Sequence, residues 1–164
     1  MLIPLPDRDF DITEVAVPWQ LMRAAGHEVV FATEVAGTIP AGDPRLLDGV
    51  IFGQLGAAPE ARHCYTDLTR APEFTSSAAW AGLDPAAFDG LLLPGGHAPG
   101  MRQYLGSPVL RAQAGRFWAT GRPVGAICHG VLVLARTRDP PPAAASWPAA
   151  GQPACPGTWN AWLT

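Results

Sequence analysis

Two stretches decide the fold, FDGLLLPGGH at residues 88–97 and PVGAICHGVLVLA at 123–135. Each contains an apolar run of strand length, and the second passes without a break into apolar residues of helical length. A buried strand that stops at Pro94-Gly95-Gly96, and another that turns into a helix at Cys128-His129-Gly130, fit a parallel sheet wound with helices. Outward from these, residues 2–5 read as a first strand and 28–33 (EVVFAT) as a second. The helix between them starts at Asp11, with Glu14 three residues on in an Asp variant of the capping box. Its expected apolar face is Val17, Leu21, Met22 and Ala25; Pro18 bends its first turn, and Gly26 lies just past its end. Residues 59–68 predict a further helix within an otherwise irregular elaboration at 34–87. Ser107 and Pro108 open another, which runs to about Thr120 and closes at Gly121. The strands at 88–93 and 123–127 and the helix at 131–135 are expected to be buried. The expected class is α/β, a doubly wound parallel sheet.

Composition narrows the function. With 164 residues, 48% hydrophobic and 15% charged, the chain is one folded domain rather than a disordered one. Eleven arginines, no lysine and fourteen acids give a net charge of −3, which offers no general attraction for nucleic acid or an anionic membrane. Every apolar run is broken before the length of a membrane span, and MLIPLPDRDF lacks a basic stretch followed by an apolar run of signal-peptide length, so the cytoplasm is the expected compartment. Cys64, Cys128 and Cys155 are an odd, widely spaced set without C-x-x-C, and His27, His63, His97 and His129 have no metal-ligand spacing. No metal and no cofactor are expected; GGHAPG does not fit the dinucleotide fingerprint.

Ligands of open α/β sheets bind at the carboxyl ends of the strands. Three loops there carry candidates: residues 7–14, Gly95-Gly96-His97, and Cys128-His129. Cys128 occupies a nucleophile elbow in which Ala126 replaces the first glycine and Gly130 supplies the second. The helix amino terminus, together with six arginines and no acid across residues 90–138, is expected to favour its thiolate. The alternative is a small core residue. His129 is either the base for Cys128, if a sharp turn redirects it, or a histidine that merely satisfies carbonyls. Gly95 and Gly96 offer backbone N–H groups for half of an oxyanion hole, the amide after Cys128 supplying the rest, or else form an ordinary tight turn. His97 by itself reads as structural. Glu14 is the best-placed acid to meet Cys128, unless it only caps its helix. Cys64 and Cys155 have no comparable surroundings.

The runs FDGLLLPGGHAPGMRQYL and RPVGAICHGVLVLAR resemble the DJ-1/PfpI family of the class I glutamine amidotransferase-like superfamily, and most closely its Hsp31-like, glyoxalase III-like branch. DRDFDITEVAVPW extends the likeness to the family acid, so that it spans about residues 1–139. The resemblance implies a flavodoxin-like sandwich, usually dimeric, with Cys128 as nucleophile, His129 as its partner and Glu14 hydrogen-bonded to the sulfur. The amides of Gly96 and His129 would be oxyanion donors, in a substrate loop that includes Gly95 and His97. It also implies a small aldehyde substrate: relatives are assigned cofactor-free conversion of methylglyoxal to lactate, deglycation, peptidase activity, or chaperone and stress roles. A redox-sensing thiol or holdase is the non-enzymatic alternative, and an amidotransferase-like hydrolase the third.

The likeness stops at Asp139. Residues 140–164, PPPAAASWPAAGQPACPGTWNAWLT, hold six prolines, three tryptophans and no charge, a composition foreign to polar tails. They are compatible with a one-nucleotide frame slip, real or from a sequencing error, that would replace the family's C-terminal portion: Trp147-Pro148 forces Ala in the shifted frame and Trp159-Asn160 forces Glu. Sequencing the DNA across the codon for Asp139 is expected to reveal an intact second frame encoding the family's ending; its absence refutes the slip.

Overall fold

The computed structural model describes residues 1–50 and 56–137, so the Pro/Ala/Trp-rich segment at 140–164 lies outside the described residues. Strand β1 (Leu2–Pro4) leads through β2 (Arg8–Phe10) into α1 (Ile12–Ala24) and β3 (Val30–Thr33). The elaboration follows: β4 (Ala41–Gly42), α2 (Pro44–Asp48), α3 (Pro59–Leu68), α4 (Pro72–Thr75) and β5 (Ala78–Ala79). The chain then forms β6 (Leu91–Leu93), α5 (Met101–Gly106), α6 (Pro108–Trp118), β7 (Val124–Ala126) and α7 (Val131–Ala135).

The main sheet has the order β5-β3-β1-β6-β7, and every neighbouring pair is parallel. Without the two-residue β5, which extends one edge, the order is that of a flavodoxin-like sheet. The chain steps outward from β1 to β3 on one side and through β6 to β7 on the other. The direction of winding therefore reverses between β1 and β6, and a crevice opens at such a switch point beyond the carboxyl ends of the strands. The α/β, doubly wound architecture expected from the sequence is the one observed.

Several local expectations also hold. Asp11 caps α1, its carboxylate accepting from the amides of Thr13 (2.8 Å) and Glu14 (3.3 Å). Ser107 caps α6 through the Leu110 amide at 3.1 Å, and α3 has the predicted limits. Gly26 and Gly121 take positive φ beyond their helices, as glycines past helix ends commonly do.

Other expectations are corrected. The buried face of α1 is Ile12, Val15, Ala16 and Trp19. Val17 and Met22 pack only partly against the core, while Leu21 is 62% exposed and Ala25 is exposed too. Helix α1 packs against α3, and what packs against the helix, rather than hydropathy alone, selects the stripe. Strand β6 begins only at Leu91, because Phe88, Asp89 and Gly90 approach the sheet as irregular chain. Strand β7 and helix α7 are not buried. Gly125 is exposed, Val133 is the sole buried residue of α7, and Val131 is 41% exposed. The reason is topological: among the described residues β7 pairs only with β6, so its outer edge is uncovered.

The core on the β3 side is aromatic. Phe74 meets Phe31 edge-on at 5.3 Å and Phe10 at 6.3 Å. Phe10 lies on β2, a strand not foreseen, which pairs with β4 and fixes the loop between β1 and α1. Tyr65 of α3 locks this arrangement by accepting the Gly42 amide at 2.9 Å in the interior. Tyr65→Phe leaves that buried N–H unpaired and is expected to cost about 1–3 kcal/mol in urea unfolding. A cost indistinguishable from zero would mean that β4 does not depend on the bond.

Candidate active site

The three loops anticipated at the strand ends converge. At the end of β7, Ile127 runs into a single 3-10 turn, Cys128–Gly130, which leads directly into α7. Cys128 has φ 50°, the left-handed conformation of a nucleophile elbow, and its side chain is exposed. Gly130 permits the turn, since a Cβ there would overlap the carbonyl oxygen of Leu93 and lie 2.7 Å from that of Pro94.

The bend resolves the difficulty that consecutive helical residues do not face each other. Nδ1 of His129 lies 3.6 Å from Cys128 Sγ. A second imidazole is there as well: His97 Nε2 is 3.9 Å from the same sulfur, and the two rings meet edge to face with centroids 4.8 Å apart. The expectation of a purely structural His97 is thereby corrected; its signal in the sequence is its place directly after Gly95-Gly96 at a strand end. Among the described residues, no carboxylate hydrogen-bonds to either ring.

Glu14 does not close a capping box. The amide of Asp11, which a capping-box glutamate would bind, donates instead to the Gly95 carbonyl at 2.9 Å. The Gly95 amide donates back to Glu14 Oε2 at 2.7 Å. This reciprocal pair fastens the start of α1 to the end of β6 and holds the Glu14 carboxyl beside Cys128. It also corrects the role of Gly95, whose N–H is engaged and is not an oxyanion donor. What Gly95 provides is room, because a Cβ would stand 2.7 Å from the His129 amide nitrogen and 3.0 Å from Cys128 Cβ. The amides pointing at the sulfur are those of His129 and Gly96. Gly96 has its own steric reason, since a Cβ there would lie 2.7 Å from the Asp9 carbonyl.

The electrostatics differ from expectation. Burial pushes the Cys128 thiol up; the His129 amide opposes this, and the negative charge of Glu14 reinforces it. The helix terminus does not offset this, because the structure that follows is one tight turn and a five-residue helix, and an acid stands opposite. Burial also pushes the Glu14 carboxyl up, against the Gly95 hydrogen bond and with help from Asp11. The resting pair therefore retains protons to higher pH than either group would in water.

These features define an α/β protein with an elbow cysteine, two imidazoles and a paired carboxyl at the sheet's switch point. The ThiJ/PfpI family-like model matches residues 5–151, and the chain belongs to that family, also called DJ-1/PfpI. It is 34% identical over 112 residues to an uncharacterized protein of Schizosaccharomyces pombe, covering 67% of this chain and 42% of that one. It is 32% identical over 127 residues to protein/nucleic acid deglycase 2 of Escherichia coli, covering 77% and 58%. A ThiJ/PfpI domain protein from Brachyspira murdochii shares the fold at 16% identity and a TM-score of 0.58, over 83% of this chain and 62% of that one. The chain thus spans less than two thirds of the length of these relatives.

Two outcomes follow from the geometry. Cys128→Gly relieves a non-glycine residue at positive φ and is expected to stabilise the fold by about 1 kcal/mol in denaturant unfolding; a destabilised variant would show that the elbow carries no strain. A carboxyl whose folded pKa is raised contributes stability at acid pH that is lost as pH climbs through the folded value. Glu14→Gln, which keeps an acceptor for Gly95, is therefore expected to be more stable than the parent at neutral pH. The gain vanishes near about pH 4, where the carboxyl is largely protonated in both states. A gain independent of pH would contradict the assignment.

Proposed function

We propose that this chain is a cysteine-dependent enzyme acting on small reactive aldehydes, converting an α-oxoaldehyde such as methylglyoxal to its 2-hydroxy acid without a cofactor. The observation that carries the reading is the exposed Cys128 sulfur set among two backbone amides, the His129 ring and the Glu14 carboxyl. In this scheme Cys128 is the nucleophile, and His129 or Glu14 takes the thiol proton as sulfur adds to the aldehyde carbon. The new C–S bond leaves charge on the former carbonyl oxygen, which the amides of Gly96 and His129 would stabilise in this scheme. One base then moves the C1 hydrogen, as a proton, to the neighbouring carbonyl carbon through an enediol. The product is a thioester of the hydroxy acid, and water releases it and restores the thiol. No net oxidant is needed, because one carbon is oxidised as its neighbour is reduced.

The deglycase named among the relatives supports the same chemistry class, since an aldehyde-derived adduct presents a comparable carbon to sulfur. A thiol whose ionisation is opposed by burial and by a neighbouring acid favours assisted attack on a carbonyl over spontaneous oxidation, which requires the thiolate. That weighs against the redox-sensor alternative. A homodimer is the assembly that the family resemblance suggests.

The test is lactate formation from methylglyoxal by the purified full chain. Cys128→Ala is expected to abolish it, and His129→Gln to lower the rate by about a hundredfold. Turnover that survives Cys128→Ala would overturn the reading. Cys128 sulfinate formation with peroxide, in the absence of any turnover, would favour the sensor.

A further inference from the structure

We propose that His97, Cys128 and His129 form a binding site for a single Zn²⁺ ion, which caps the Cys128 sulfur. One ligand atom from each of the three residues lies within 4.8 Å of the others. Linear spacing excluded a metal site because the histidines are 32 residues apart in sequence; the fold brings them together by placing the ends of β6 and β7 side by side.

The distances suit the ion. Zinc bonds of about 2.3 Å to sulfur and about 2.0–2.1 Å to imidazole nitrogen, at tetrahedral angles, require S···N edges of about 3.6 Å and an N···N edge of about 3.3 Å. The observed S···N separations are 3.6 Å to His129 and 3.9 Å to His97. The remaining nitrogen–nitrogen edge lies within 4.8 Å, and the exposed His97 ring can adjust it by rotation about its side-chain torsions. Two imidazoles and one thiolate are a ligand set that a borderline-soft divalent ion accepts, with water in the fourth position.

Charge also favours the ion. Zn²⁺ with one thiolate and two neutral imidazoles carries a net +1, and Glu14, held by the Gly95 amide, places a carboxyl next to both Cys128 and His97. Binding replaces the S–H bond with an S–Zn bond and releases one proton to solvent per ion bound. The sulfur lone pair that would attack an aldehyde is then engaged, so zinc reversibly masks the nucleophile. This inference does not depend on turnover.

The experiment is an anaerobic titration of the reduced full chain with Co²⁺, a spectroscopic substitute for Zn²⁺, in a Cys64→Ser, Cys155→Ser background so that Cys128 is the only thiol. The expected result is one equivalent per chain, with a thiolate-to-cobalt charge-transfer band in the near ultraviolet that Zn²⁺ displaces. Cys128→Ser removes the band, and His97→Ala weakens binding at least about tenfold. Two results would overturn the site. One is no band in protein whose Cys128 reacts stoichiometrically with a thiol reagent and whose circular dichroism is that of the folded chain; the other is a band undiminished in His97→Ala. A cobalt spectrum, together with no lactate formation by the metal-free chain, would refute the enzyme and leave the metal site standing.

Discussion

The site depends on two hydrogen bonds made in opposite directions between the same two segments: the Asp11 amide to the Gly95 carbonyl, and the Gly95 amide to the Glu14 carboxylate. They join the first turn of α1 to the end of β6 across 81 residues of sequence. Without them Glu14 would be an ordinary first-turn acid facing its own helix. With them its carboxyl is taken out of full solvation and set against a thiol. Gly95 has no Cβ, which gives the elbow room to pack behind it, and the turn of the elbow is possible because Gly130 has none.

That arrangement explains why both groups are pushed up although the chain near the site is rich in arginine. Proximity decides the outcome. A half-buried carboxyl beside the sulfur acts at short range, whereas exposed guanidinium groups are screened by water. Burial raises both members of the pair, and each negative charge makes the other harder to form. Both groups thus hold their protons to higher pH than they would in water. The backbone follows the same pattern, since Cys128 is held at a φ that most side chains avoid.

Much of this was legible in the amino-acid order, for physical reasons that can be named. LLL before Pro-Gly-Gly and VGAI before Cys-His-Gly are short, strongly apolar and sharply punctuated, and each contains a strand of the sheet. Asp11 and Ser107 are caps whose side chains act within three residues, so local chemistry suffices to find them. The α1 stripe is not legible in hydropathy, because the burial of Trp19 and the exposure of Leu21 are decided by what packs against the helix. Strands β2, β4 and β5 are two or three residues long and exist through their partners. His97 could not be placed beside Cys128 from the sequence, because their meeting depends on the register of β6 with β7, which pairs Leu93 with Ala126.

The central claim is that Glu14 is electrostatically coupled to the Cys128 sulfur. The most direct measurement is the rate of Cys128 alkylation as a function of pH, in the parent chain and in Glu14→Gln. The account predicts a midpoint above that of an ordinary thiol in the parent, and a lower one once the carboxylate is replaced by a neutral amide. A midpoint that is unchanged or raised in Glu14→Gln would contradict it.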